Sequence, residues 1–228
     1  MAKLGLILSG LFFGVLGLAR AEATTTIRVG FVTKESQKFY DEIVKPYWNQ
    51  LSDGRELELV SLTPYNGKGE LNFDELAKNL ERAPADIKTI YLHWNEPVSA
   101  RHESVVQALR KKTEEGVKVA FFAGLAYPGG RTVPLGQTVA GQIPKALILG
   151  ELIERERLPA QHFYGPELFS AFRAENSLVA GLAPLQFVSR WSRQASGKTL
   201  DESLLELRRR KMKSKSLWPS VEELLSRP

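Results

Sequence analysis

The sequence predicts an α/β fold: a mostly parallel sheet flanked by helices, closed by a helical C-terminus. Three observations lead there. Strand and helix signals alternate from Thr24 to about Gly150, which is the pattern of a parallel sheet whose crossovers are helical. The segments between strands carry helix caps and stops at the right places. Beyond Gly150 the dominant period is helical.

The first strand is Ile27 to Val32, followed by a helix from about Ser36 to Trp48 with Pro46 near its end. LELVSL, Leu57 to Leu62, is the second strand. The turn NGKG, Asn66 to Gly69, leads to a helix capped by Asn72, with Phe73, Leu76 and Leu80 at helical spacing. Thr89 to Leu92 is a short strand of the buried type. Ser99 to Glu115 is a helix ended by Gly116, a residue suited to a left-handed cap. Val117 to Phe122 is the fourth strand, and after the Gly- and Pro-bearing loop AYPGGRTVPLGQ, Ala146 to Leu149 is a fifth. Helices are expected at about Ser177 to Gln194, Leu200 to Lys213 and Val221 to Leu225. Capping boxes open the last two, Thr199 with Glu202 and Ser220 with Glu223.

The N-terminus carries an export signal. Lys3 supplies a positive charge, Leu4 to Leu18 is an uncharged apolar stretch, and Ala19, Ala21 and Ala23 offer small-x-small cleavage sites. Fifteen such residues, four of them glycine, fall short of the roughly 20 that span a bilayer. Residues 1–23 are therefore read as a signal peptide and 24–228 as one domain, exported to the periplasm or medium and soluble after cleavage. The chain has no cysteine, so lipoprotein anchoring, disulfides, thiol chemistry and Cys-based zinc sites are all excluded.

In sheets of this kind ligands lie beyond the carboxyl ends of the strands, which directs attention to Thr33 and Lys34, Thr63, His93 to Glu96, and Ala123 to Pro128. No phosphate-binding glycine motif or G-x-S-x-G elbow is present. The three histidines, His93, His102 and His162, are not at metal-ligand spacing, so neither a metal nor a cofactor is expected. His93 beside Trp94 and Glu96 has the makings of an acid/base pair, although a lone histidine after a buried strand more simply packs. His102 is expected on an exposed helix face. The segment Tyr127 to Arg131 could offer amides and a cation to an anion, but it reads more simply as a surface turn.

Residues 190–228 hold ten Lys or Arg against five Asp or Glu, while the whole chain has a formal net charge of +5. The basic run Arg208 to Lys215 interleaves with Leu204, Leu205, Leu207 and Met212, so it reads as a helix with one buried and one solvated side. Nucleic acid is not expected as a partner of an exported chain. Beyond that solvated face, weak contact with an anionic membrane surface or an acidic partner is the remaining role for this run.

Taken in order, several segments resemble the subtilisin-like serine proteases, the subtilases. IRVGFVTK, Ile27 to Lys34, is similar to their first catalytic strand, and TIYLHWNEP to the strand that ends in Ser-Leu-Gly and holds substrate backbone. The helix from Ser99 with GVKVAFFAG resembles the long helix and the strand running toward Ala-Gly-Asn. IPKALILGELIERERLPAQHFYGPEL, Ile143 to Leu168, resembles the Tyr-Pro-x-x-Ile-x-Val-Gly-Ala run and the Phe-Ser-x-Tyr-Gly-Pro-Glu turn. VAGLAPL, Val179 to Leu185, resembles the helix that carries the nucleophile, and the helix from Leu200 the last family helix. The resemblance implies a subtilisin-like three-layer sandwich.

The catalytic residues do not follow. Thr33 stands where the family has its first aspartate, the His-Gly-Thr-His segment is missing, Leu125 takes the place of the oxyanion-hole asparagine, and Arg173 that of the nucleophile. Ser177 lies four residues late. A serine without a base and oxyanion donors is a poor nucleophile. The resemblance thus implies a pseudoprotease that binds a peptide or protein partner, such as a protease or an inhibitor. Its groove would run along Tyr91, Leu92, His93, Trp94 and Glu96 to Pro97, facing Gly124 and Tyr127, where an extended peptide adds as a strand. Two alternatives stand beside this reading. One is a periplasmic solute-binding protein, whose opening the first two strands also resemble but which needs a second α/β lobe. The other is a hydrolase using His93, Glu96 or Ser177.

Overall fold

The structure, a computed structural model, describes residues 26–52, 57–123, 133–152, 168–173, 182–194, 197–216 and 219–225. The export signal, Gly124, Leu125, Tyr127, His162 and Ser177 lie outside these residues.

Six strands form a single sheet: β1 (Ile27–Thr33), β2 (Leu57–Ser61), β3 (Ile87–His93), β4 (Lys118–Phe122), β5 (Leu147–Leu152) and β6 (Leu168–Arg173). Their order is β2-β1-β3-β4-β5-β6, and every neighbouring pair is parallel. The chain leaves β1 toward one edge and leaves β3 toward the other, so the topological switch point lies between their carboxyl ends. β6 has no counterpart in the sequence reading. LFSAFR shows no clean alternation because Leu168, Ser170, Ala171 and Phe172 are all buried, on both faces of the sheet. A single sheet also removes the basis for the solute-binding reading, since the chain after Gly150 adds β6 to the existing sheet among the described residues instead of founding a second lobe.

Both faces of the sheet are covered. On one, Val29, Phe31, Tyr91, Ala120, Phe122 and Leu149 pack under Tyr40, Val44 and Trp48 and under the C-terminal helices α5 (Leu182–Gln194), α6 (Leu200–Lys213) and α7 (Val221–Leu225). On the other, Val32, Ile90, Leu92, Val119, Phe121 and Ile148 pack under α3 (Phe73–Glu81) and α4 (Glu103–Glu114) and under the 135–143 segment. This is the three-layer arrangement expected. Alternate strand residues reach opposite faces, which is why each strand reads as a continuous apolar run.

The helix after β1 is longer than expected and changes register. It opens as α1 (Gln37–Phe39), capped by Ser36, whose hydroxyl accepts the Phe39 amide at 3.2 Å. It then makes a π turn over Tyr40–Val44 and continues as α2 (Lys45–Ser52). Pro46 explains the turn. Proline has no amide proton, and in an unbroken α-helix its ring collides with the carbonyl four residues back. Widening the preceding turn, so that Lys45 donates to Tyr40, carries the helix past Pro46 to Ser52.

Caps place the other helices as the sequence predicts. The Asn72 side chain accepts the Glu75 amide at 3.1 Å, and Gly116 follows α4 at φ 85°. In the C-terminal layer the buried Trp191 indole donates to the Ser203 hydroxyl at 2.7 Å, tying α5 to α6.

Candidate functional site

The carboxyl ends of β1 and β3 meet in register, with Thr33 opposite His93. Neither carries an available reactive group. The Thr33 amide donates to the Thr63 hydroxyl and the Thr33 hydroxyl accepts the Glu35 amide, both at 3.0 Å. Thr33 is fully buried. It is a strand-ending clasp between β1 and the chain after β2.

His93 is buried on the C-terminal-helix face, inside an aromatic box. Its ring stacks on Phe122 at 5.3 Å and on Phe39 at 5.6 Å, with Phe31 at 6.1 Å. Burial pushes its pKa down to about 4, and its Nδ1 has no hydrogen-bond partner. Neutral imidazole here serves as an aromatic ring, the packed role expected of a lone histidine.

Glu96 does not pair with His93. Its partner is His102, which packs on the opposite face of the sheet against Phe73, edge-on at 4.9 Å, and Trp94 at 5.8 Å. Only 1 % of the His102 surface is exposed, which corrects the expectation of an exposed helix face. The reason is local. Ser99 is extended and its amide donates to His102 Nδ1 at 3.0 Å, so a short 3-10 turn, Ala100–His102, folds the imidazole back under the helix entry. With Nδ1 accepting, the ring proton is on Nε2, which donates to Glu96 Oε1 at 2.5 Å. Arg101 reaches the same oxygen at 2.7 Å, and Lys34 reaches Oε2 at 2.5 Å. Burial raises the Glu96 pKa, but hydrogen bonds from His102 and Lys34 and the charges of Lys34 and Arg101 outweigh it, taking it down to about 2.

Ser99, His102 and Glu96 thus stand in the order hydroxyl, imidazole, carboxylate, with Ser99 Oγ 3.1 Å from Nδ1. A general base needs its lone pair for the hydroxyl proton. Here that lone pair already holds the Ser99 amide proton. The three residues form a helix-entry clamp that joins β1, through Lys34, to α4. In the sequence this triplet leaves only the spacing of Glu96, Ser99 and His102, three residues apart.

Past Trp94 the chain is held by its neighbours. Asn95 donates to the Thr138 hydroxyl and accepts the Ala140 amide, each at 3.1 Å and buried. The Val98 amide donates to the Gln137 carbonyl and the Val139 amide to the Glu96 carbonyl, both at 2.9 Å. These bonds engage the main chain along the 91–98 segment, where an added strand was expected. Tyr91 and Leu92 are hydrogen-bonded in register to strands on both sides, His93 pairs with β1, and Glu96 and Val98 are paired by the 137–139 segment. Tyr91, Leu92, His93 and Trp94 are all buried. What solvent reaches is the rim of Val98, Ser99 and Arg101 above Glu96.

Arg173 ends β6, and its side chain, like Leu125, Gly124, Tyr127 and Ser177, lies outside the described residues. Among the described residues no cluster of three or more metal-ligating side chains occurs, and no helix is long and apolar enough to cross a membrane.

No protein-family model matches the sequence, and no curated protein matches it. Solved structures do. The chain is similar to a protease from Pseudoalteromonas arctica, with a TM-score of 0.62 and 9 % identity over 90 % of each chain. A lanthipeptide protease gives 0.60 and 9 %, covering 87 % of this chain and 86 % of that one. A cold-adapted subtilisin-like serine proteinase gives 0.59 and 10 %, covering 83 % and 84 %. At these identities the likeness shows the fold.

Proposed function

From a subtilisin-like fold with this carboxyl edge, we propose that the chain is an exported, catalytically inactive subtilase-like domain that acts by binding a peptide or protein partner. The observation that carries the proposal is the set of contacts at the ends of β1 and β3. Thr33 is held by hydrogen bonds to Thr63 and the Glu35 amide, His93 is enclosed by aromatic rings, and Glu96 is ion-paired with Lys34 and Arg101 and hydrogen-bonded by His102. A hydrolase places a base with an open lone pair beside an exposed nucleophile, and each group here is committed to holding the fold. Export rests on the N-terminal charge, apolar run and small-residue sites.

Contact with a partner falls to the exposed rim, where Val98 is 41 % exposed beside Ser99 and Arg101. The test is fluorescence anisotropy with a labelled library of extended peptides. Saturable binding, weakened about tenfold or more by Val98→Asp with the peptides recovered uncut, is the expected result. Cleavage of the bound peptides, or binding indifferent to Val98→Asp, would count against the proposal.

A further inference from the structure

A second concave surface lies at the other end of the sheet, where β5 and β6 begin. It is a groove of about 700 Å³ between the 140–148 segment and α6, floored by Ala140, Ile143, Ala146 and Leu168. That volume is within the range of about 300–1,000 Å³ typical of small-molecule sites. Its outer lip is Leu205 and Met212, 50 % and 77 % exposed, two of the four large apolar side chains so exposed among the described residues. Residues 205, 208 and 212 share one face of α6, while Leu204 and Leu207 point into the core. The helix therefore presents apolar surface to the groove as well as to the interior.

Three cations line the same groove. Lys145 is paired with Asp201 at 2.7 Å. Lys211 is half-buried, donates to the Phe169 carbonyl, a neutral acceptor, and lies 5.2 Å over the Phe169 ring. Burial lowers its pKa. Among the described residues no carboxylate pairs with Lys211 or with Arg208, one turn away and exposed. Among the described residues this part-buried cation meets a carbonyl and a ring, neither of which carries a compensating full charge.

We propose that this groove binds a single-chain anionic amphiphile, its acyl chain along the apolar floor and its acidic head between Arg208 and Lys211. The floor and lip exclude a sugar or a free inorganic anion, which would leave the apolar surface in water. The shape separates the ligand from a bilayer, because a helix that lies on a membrane presents a convex apolar face, whereas Leu205 and Met212 edge a concavity. This reading is independent of the rim at Val98 and gives the basic run of α6 a role beyond a solvated face.

The test is isothermal titration of the full domain with dodecanoate below its micellar concentration, with dodecanol and octanoate as controls. Saturable one-to-one binding is expected, at least about tenfold weaker for dodecanol, for Lys211→Gln and for Arg208→Gln. Octanoate should bind much more weakly still, since each buried methylene multiplies affinity about fourfold. Arg208 is exposed, so its variant keeps the fold even if Lys211→Gln does not. Leu205→Glu should abolish binding. The proposal is overturned if no saturable binding occurs, if dodecanol binds as well as dodecanoate, if Arg208→Gln binds like the parent, or if the protein binds only phosphatidylglycerol vesicles and not the monomeric amphiphile.

Discussion

His102 Nε2 lies 2.5 Å from Glu96 Oε1, with the imidazole buried and the carboxylate also held by Lys34 and Arg101. This one pair converts what could have been an acid/base site at the end of β3 into a structural joint between β1, β3 and α4.

The joint sets the acid limit of stability. The folded pKa of Glu96, about 2, is below its ordinary 4.5, so its contribution is complete above pH 4.5 and is lost as pH falls toward 2. Glu96→Gln removes the carboxylate that Lys34 and Arg101 share, and the drop of its pKa from 4.5 to about 2 corresponds to a cost of about 3 kcal/mol at pH 7. The difference between parent and variant should shrink toward zero near pH 2. Urea unfolding at pH 7, 4 and 2.5 measures it.

His93 acts in a separate window. Its folded pKa, about 4, is below the ordinary 6.5, so the unfolded chain binds the proton first. Stability is full above pH 6.5 and declines as pH falls from 6.5 to 4, by about 3 kcal/mol in all. His93→Phe keeps the stack on Phe122 and Phe39 and should remove this decline, making the variant the more stable protein at pH 4.5. A parent and variant with the same pH profile between 6.5 and 4 would refute the assignment.

The 135–141 segment depends on one amide side chain. Asn95→Ala leaves the Ala140 amide and the Thr138 hydroxyl short of their buried partner. The expected loss is about 2 to 4 kcal/mol. Hydrogen exchange should locate it, with the Val139 and Ala140 amides losing protection before those of β3.

Much of this architecture is legible in the sequence, and for identifiable reasons. Leu200–Lys213 and Val221–Leu225 are bounded as read because Thr199 with Glu202 and Ser220 with Glu223 mark their starts. The first five strands are legible because each is a short apolar run bounded by turn residues or followed by a capped helix. β6 is hidden because an edge strand buried on both faces and carrying Ser170 has no period to read. Pro46 hides the true length of the first helix, since a π turn has no sequence signature of its own. At the site, Thr33 and His93 are found from the strand ends alone, but the partner of Glu96 is not. A histidine three residues into a helix reads as exposed until the extended Ser99 turns it inward, against Trp94 just upstream and Phe73 from the preceding helix.

The central claim, a protease-like fold that works by binding and not by cutting, is tested most directly by labelling with a fluorophosphonate probe that traps activated serines. No stoichiometric labelling is expected at pH 7, in the parent or in Ser99→Ala and Ser177→Ala. Stoichiometric labelling of the parent that disappears in either variant would contradict the account, because it would require an imidazole with an open lone pair beside that hydroxyl.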